Sequence, residues 1–191
     1  MKILVAVLIL LLLAASWYFY DEPLLPETRV WLESPPAVSP EDDVLQLIIP
    51  LYTLGTPSFS EVIGPNICDF IDTRCKAHVL SEREHIKKHM PADPEYWSIV
   101  EQTFGANKIS NDPSRMLVTE ESWGQMGNYI TALKLYYIRA LVEQGRITSE
   151  MAITSLNAQR RLLADAPFLT DKMIFVATTG IALTALRLSI A

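Results

Sequence analysis

Glycine is scarce in this chain, seven residues in 191. That leaves little material for loops that cradle phosphate. Neither a phosphate-binding loop, a dinucleotide fingerprint nor a Gly-x-Ser-x-Gly elbow occurs. A basic excess is also missing. Sixteen Lys and Arg stand against 22 Asp and Glu, a formal net charge of −6, so there is no general positive field to hold nucleic acid. The same balance gives no reason to expect anionic headgroups as ligands. Cysteine is limited to Cys68 and Cys75. No catalytic residue emerges from any motif, and no cofactor is implied.

One more absence is local. From Ile3 to Tyr20 there is no charged residue, with Lys2 before the run and Asp21-Glu22 after it. As a helix this run rises about 27 Å at about 1.5 Å per residue, close to a hydrocarbon core of about 30 Å. The flanking charges keep the N-terminus cytoplasmic and export the rest of the chain. A cleaved signal peptide is the rival reading, with its apolar part at Ile3–Ala15 and cleavage after Ser16. The aromatic run Trp17-Tyr18-Phe19-Tyr20 favours retention at the membrane interface. The expected partner of residues 3–20 is therefore the inner membrane.

Seven of the twelve prolines lie between Pro23 and Pro57. Residues 21–43, proline-rich and acidic, read as an extended spacer, and residues 44–191 as one helical domain. Val44 to Leu54 is apolar, and its periodicity does not decide between strand and helix. From Asp72 the signals are helical. Asp72 or Thr73 can cap a helix reaching about Met90. Asp93-Pro94-Glu95 starts another that ends near Phe104. Thr119 precedes a long helix that stops at Gly145, Thr148 caps Ser149–Ala164, and Thr170 caps Asp171 to about Ser189. Met173–Leu186 is apolar but short for a second span, so a buried helix is expected. The chain stops in this apolar stretch, which predicts either burial against a partner or continuation beyond Ala191.

An even cysteine pair in an exported domain predicts a disulfide between Cys68 and Cys75. On a continuous helix the two would stand about 10 Å apart, too far for the bond, so a helix beginning near Asp72–Thr73 is required. The three histidines come soon after. His78, Glu82, His85 and His89 share one face of a continuous helix, where His85 and His89 can chelate a divalent metal with Glu82 or His78 as third ligand. The crowd of charge around them favours a solvated face instead. Glu121-Ser122 resembles the glutamate–serine pair of lytic transglycosylases, but Trp123-Gly124-Gln125-Met126-Gly127 lacks that family's downstream spacing; acids at a helix start explain it more simply. Trp123, Met126, Ile130, Leu133, Tyr137 and Leu141 form a packing stripe. Trp123 with Gly124 and Gly127 is the expected surface for a protein partner.

Two resemblances accompany these readings. Tyr129 to Leu163, with Gly145 at its turn, resembles a tetratricopeptide-type helical hairpin, though no second copy occurs at that period. Trp31-Leu32 with Pro35-Pro36, Cys68-Asp69-Phe70 with Cys75, and Arg160-Arg161-Leu162-Leu163 with Lys172-Met173 resemble a group of uncharacterised bacterial membrane-anchored proteins. That likeness implies an N-terminal inner-membrane anchor, a helical exported body, paired cysteines and members longer than this chain; it carries no activity.

The expected fold is mainly α: an N-terminal transmembrane helix (1–20), a Pro-rich linker (21–43) and a helical-hairpin bundle with one disulfide (44–191). The expected role is a non-enzymatic, membrane-anchored periplasmic scaffold or binding module with a protein partner. The alternative is a cell-envelope hydrolase, metal-dependent through the His/Glu face.

Overall fold

A computed structural model of the chain describes residues 42–64, 73–109, 120–166 and 169–190, with helical backbone only at 120–125 and 169–170. The expected anchor, the linker up to residue 41, and Cys68 lie outside the described residues.

Asp43 starts the first helix, its carboxylate accepting from the Leu45 amide at 3.2 Å. That helix, α1 (Val44–Leu54), settles the undecided apolar stretch, and it tolerates Pro50 within it. Gly55 closes it at φ +77°, a conformation that a side chain disfavours. Ser58 and Glu61 then form a reciprocal capping box around α2 (Phe59–Ile63). The Ser58 backbone amide, donating to the Glu61 carboxylate at 2.7 Å, is the first cause that holds that carboxyl below its ordinary range, and the Ser58 hydroxyl is the second.

The single helix expected from Thr73 to Met90 is two. α3 (Thr73–Ser81) and α4 (Arg83–His89) are separated at Glu82, whose backbone lies at φ −103°, ψ 21°. The break lets both pieces reach the core, with Val79 and Ile86 fully buried. α5 (Pro94–Gln102) begins as its sequence predicts, with the Asp93 carboxylate accepting from Glu95 at 2.8 Å, and ends slightly early in the turn Thr103–Gly105.

The central element is α6 (Glu120–Gln144). It touches α1 to α5 and the last helix. Its inward stripe is Tyr129, Leu133, Tyr137 and Leu141, all buried. Gly145 at φ +73° ends it, as expected. Thr148 caps α7 (Ser149–Asp165) by accepting from Met151 at 3.2 Å. The last helix, α8 (Leu169–Ile190), starts before Thr170, so that residue lies within the helix rather than capping it.

α7 and α8 form the tightest pair, because Ala152, Ala158, Ala182 and Ala185 are small and buried. Ser149 and Ser189 join their far ends at 3.1 Å. α6 and α7 instead meet through long side chains, Gln159 reaching Tyr129. The segment 106–109 fastens the bundle. Its Lys108 exchanges two backbone bonds of 3.2 Å with residues 42 and 44, and the Ile109 amide donates to Asp165 at 3.1 Å.

The buried-helix expectation for Met173–Leu186 holds for one face only. α8 turns Phe175, Ile181 and Ala185 into the core while Met173, Val176 and Leu183 remain exposed. By length and composition Asp171–Ile190 is apolar enough to cross a membrane, with 39% of that stretch buried in the bundle. No other such helix occurs among the described residues.

Candidate functional site

The histidine face does not assemble. The helix breaks at Glu82, so His78 lies on α3, His85 and His89 on α4, and Glu82 between them. The His78 ring Nε2 lies 3.0 Å from the Ile63 carbonyl, tying α3 to the end of α2. His89 Nδ1 lies 2.9 Å from the His85 carbonyl, and the two rings rest 4.4 Å apart. Each ring thus has a local structural role. Among the described residues no three His, Cys, Asp or Glu side chains converge as a metal site would require.

The expected partner surface is partly visible. Glu121, Ser122, Trp123 and Gly124 fall in the first turns of α6, where side chains are outside the described set. Gly127 is exposed, and a Cβ added there would meet nothing within 4 Å. Among the described residues, no close helix approach requires that glycine.

What the fold does build is a cleft of 460 Å³ where the end of α4, the turn 90–94, α5 and the last third of α6 meet. Its apolar wall is Trp97, Met90 and Val142. The Trp97 indole N–H donates to the Pro91 carbonyl at 3.0 Å, which fixes the ring against the turn. The Arg139 guanidinium lies 4.9 Å from the centre of that ring. It is held there by donating Nε–H to Glu143 at 2.8 Å, one helical turn away. Arg83 donates to the Glu143 backbone carbonyl at 2.8 Å and so joins α4 to the end of α6.

Two further cations line the cleft. Lys87 and Lys88 are exposed at the last turn of α4, on the rim of the cleft. Glu143, the one carboxylate of the lining, is already engaged by Arg139. The cleft thus joins an indole and a stacked guanidinium to two ammonium groups that form no ion pair among the described residues, in a chain that is acidic overall. Its volume falls within the range of ordinary small-molecule sites, about 300–1,000 Å³.

No sequence motif marks this cleft. The pieces come from three helices, with Lys87 and Arg139 far apart in the chain. The one local signal is the charge of the Lys87-Lys88-His89 run, and by itself it reads as a solvated surface.

No protein-family model matches the sequence, and neither curated proteins nor solved structures give a significant match.

Proposed function

We propose that this chain is a membrane-anchored helical binding module, held by residues 3–20 at the bacterial inner membrane with its body in the periplasm, and that the Trp97 cleft receives a small amphiphilic anion. The observation that carries the reading is the pairing of Lys87 and Lys88 with the Trp97–Arg139 stack in one cleft of 460 Å³. An indole face favours a flat or aliphatic body, and paired ammonium groups favour a carboxylate or phosphate at its end.

The uncharged run at 3–20 supports the anchor. A Cys68–Cys75 bridge belongs to the same reading. In its favour, Cys75 is fully buried, a setting that suits a sulfur joined to its neighbour better than a polar group. The hydrolase alternative gains no comparable support, since the His78 and His89 rings are turned to separate backbone carbonyls.

The test is calorimetric titration of the full chain with dodecyl phosphate below its micellar concentration, with inorganic phosphate as the second probe. Binding of dodecyl phosphate, weakened at least about tenfold by Lys87→Glu/Lys88→Glu and by Trp97→Leu, is the expected result. Binding of inorganic phosphate alone, or dodecyl phosphate binding untouched by the variants, would remove the cleft from the proposal.

A further inference from the structure

The four-residue histidine face is lost, but two of its members stay together. His85 and His89 lie one turn apart on α4, and both are exposed. Their ring centres are 4.4 Å apart, with the planes inclined at 40°. The His89 ring is already oriented. Its Nδ1 lies 2.9 Å from the His85 carbonyl oxygen, which can only accept, so Nδ1 carries the hydrogen. In the neutral ring the lone pair then sits on Nε2. A backbone carbonyl holding the far nitrogen is the support that metal-bound histidines ordinarily have. The His85 ring makes no hydrogen bond among the described residues, so its nitrogens are open to a ligand.

We infer that His85 and His89 form a two-imidazole site for a late first-row divalent ion, best suited to Cu2+. The ring spacing carries this. A bond of about 2.0–2.1 Å from Nε2 puts a metal about 3.2 Å from the ring centre. Two rings held at a right angle around one ion then have centres about 4.5 Å apart, and at a tetrahedral angle about 5.2 Å. The observed 4.4 Å matches the right angle. Right-angled nitrogen pairs belong to square-planar or tetragonal ions, whereas zinc favours the tetrahedron. Copper also stands highest in the divalent affinity order. No third His, Cys, Asp or Glu side chain joins the pair among the described residues, so the remaining positions are left to water. This is an exchangeable surface site, not the three- or four-ligand centre of a zinc protein. The neighbouring ammonium groups do not occupy it. Helical spacing sets Lys87 on the opposite side of α4 from the pair and Lys88 to one side. Both line the Trp97 cleft, whose lining includes neither His85 nor His89. The site is therefore independent of the anion cleft.

The test is calorimetric titration of the full chain, in a mild non-ionic detergent, with CuCl2 and separately with ZnCl2, joined to electron paramagnetic resonance of the copper form. One Cu2+ per chain, bound at least about tenfold more tightly than Zn2+, is the expected result. Its spectrum should be tetragonal, with splitting from a pair of nitrogen donors. His85→Gln and His89→Gln should each weaken Cu2+ binding at least about tenfold and leave a single nitrogen donor. Both side chains are exposed, and circular dichroism melting verifies that each variant is folded. His78→Gln, on α3, is the matched control and should leave affinity and spectrum unchanged. Absence of Cu2+ binding overturns the inference. So does binding that survives both His85→Gln and His89→Gln, which would assign the ion to cysteine sulfur or a chain terminus. An equal loss in His78→Gln would mean that the wider face gathers around the metal, and it removes the two-residue site. Zn2+ bound as tightly as Cu2+ removes the right-angled geometry.

Discussion

The Gln159 carboxamide donates to the Tyr129 phenolic oxygen at 2.7 Å, joining α7 to α6 inside the core. Tyr129 passes the contact on by donating to Thr103 at 3.3 Å, and Thr103 donates in turn to the Val100 carbonyl at 2.6 Å. Three helical segments are thereby linked by one buried polar chain. Removing one member strands the next in an apolar setting, which costs more than the bond itself. Tyr129→Phe should therefore lower stability by about 1–3 kcal/mol. Replacing both ends, Tyr129→Phe with Gln159→Leu, should cost less than the two single changes added together. A urea-unfolding double-mutant cycle measures this, and strict additivity would mean that the two side chains do not depend on one another.

The tyrosines also set an alkaline limit. Burial raises the phenol of Tyr96 to about 12, and that of Tyr136 to about 12 with Glu101 adding to the effect. Burial likewise pushes up Tyr129 and Tyr137. An unfolded chain ionises these phenols near pH ~10. Above that pH the folded form therefore holds more protons than the unfolded one, and stability falls as pH rises. Their contribution is whole below about pH 10 and is lost as pH climbs toward about 12. Absorbance at 295 nm should show these phenols ionising late and together with the loss of helical signal. Early, unfolding-independent ionisation of all the tyrosines would contradict the packing of α6.

Local signals of the fold are legible where a short motif fixes a helix end by hydrogen bonding. Asp93-Pro94-Glu95, Gly145 and Thr148 each mark a boundary that the structure keeps. Ser58-x-x-Glu61 is a motif of the same kind, half hidden by the prolines around it. The break at Glu82 is not readable, because no proline or glycine stands there; tertiary packing of Val79 and Ile86 imposes it. The type of Val44–Leu54 depends on a partner, since α1 is held by the stretch around Lys108, far along the chain. The Trp97 cleft is of this second kind. It exists only when α4, α5 and α6 have come together, so no window of sequence contains it. The apolar ridge of α8 is legible as composition but not as orientation, because an apolar stretch does not say which side faces the core.

Small residues on α8 and α6 should respond in opposite directions according to their neighbours. Gly127 and Gly180 have open space where a Cβ would go and no positive φ. Gly127→Ala should raise stability by about 0.5–1 kcal/mol by removing a poor helix former. Ala182, fully buried between α7 and α8, has no such room. Ala182→Leu should lower stability by about 1–3 kcal/mol through overpacking. Thermal melts of both variants check the contrast. If Gly127 also lies at a protein-partner surface with Trp123 and Gly124, Gly127→Ala should weaken partner capture while it stabilises the chain, which separates a binding role from a structural one.

The cysteines give a prediction that separates compartment from fold. A Cys68–Cys75 bridge closes a short loop, and the chain-entropy estimate for a loop of that length is about 2.5 kcal/mol. Protein exported to the periplasm and purified without reductant should have a mass two hydrogens short of the reduced chain. Reductant should restore that mass and lower the unfolding midpoint. Cys68→Ser should lower it by a similar amount and abolish the response to reductant. Cys75→Ser should cost more than Cys68→Ser, because Cys75 is fully buried and a hydroxyl would replace its sulfur in the core. A full reduced mass in exported protein would rule out the bridge. It would also withdraw one of the supports for a periplasmic body, while leaving the packing of α3 against α6 to rest on Val79 and Cys75 as apolar groups alone.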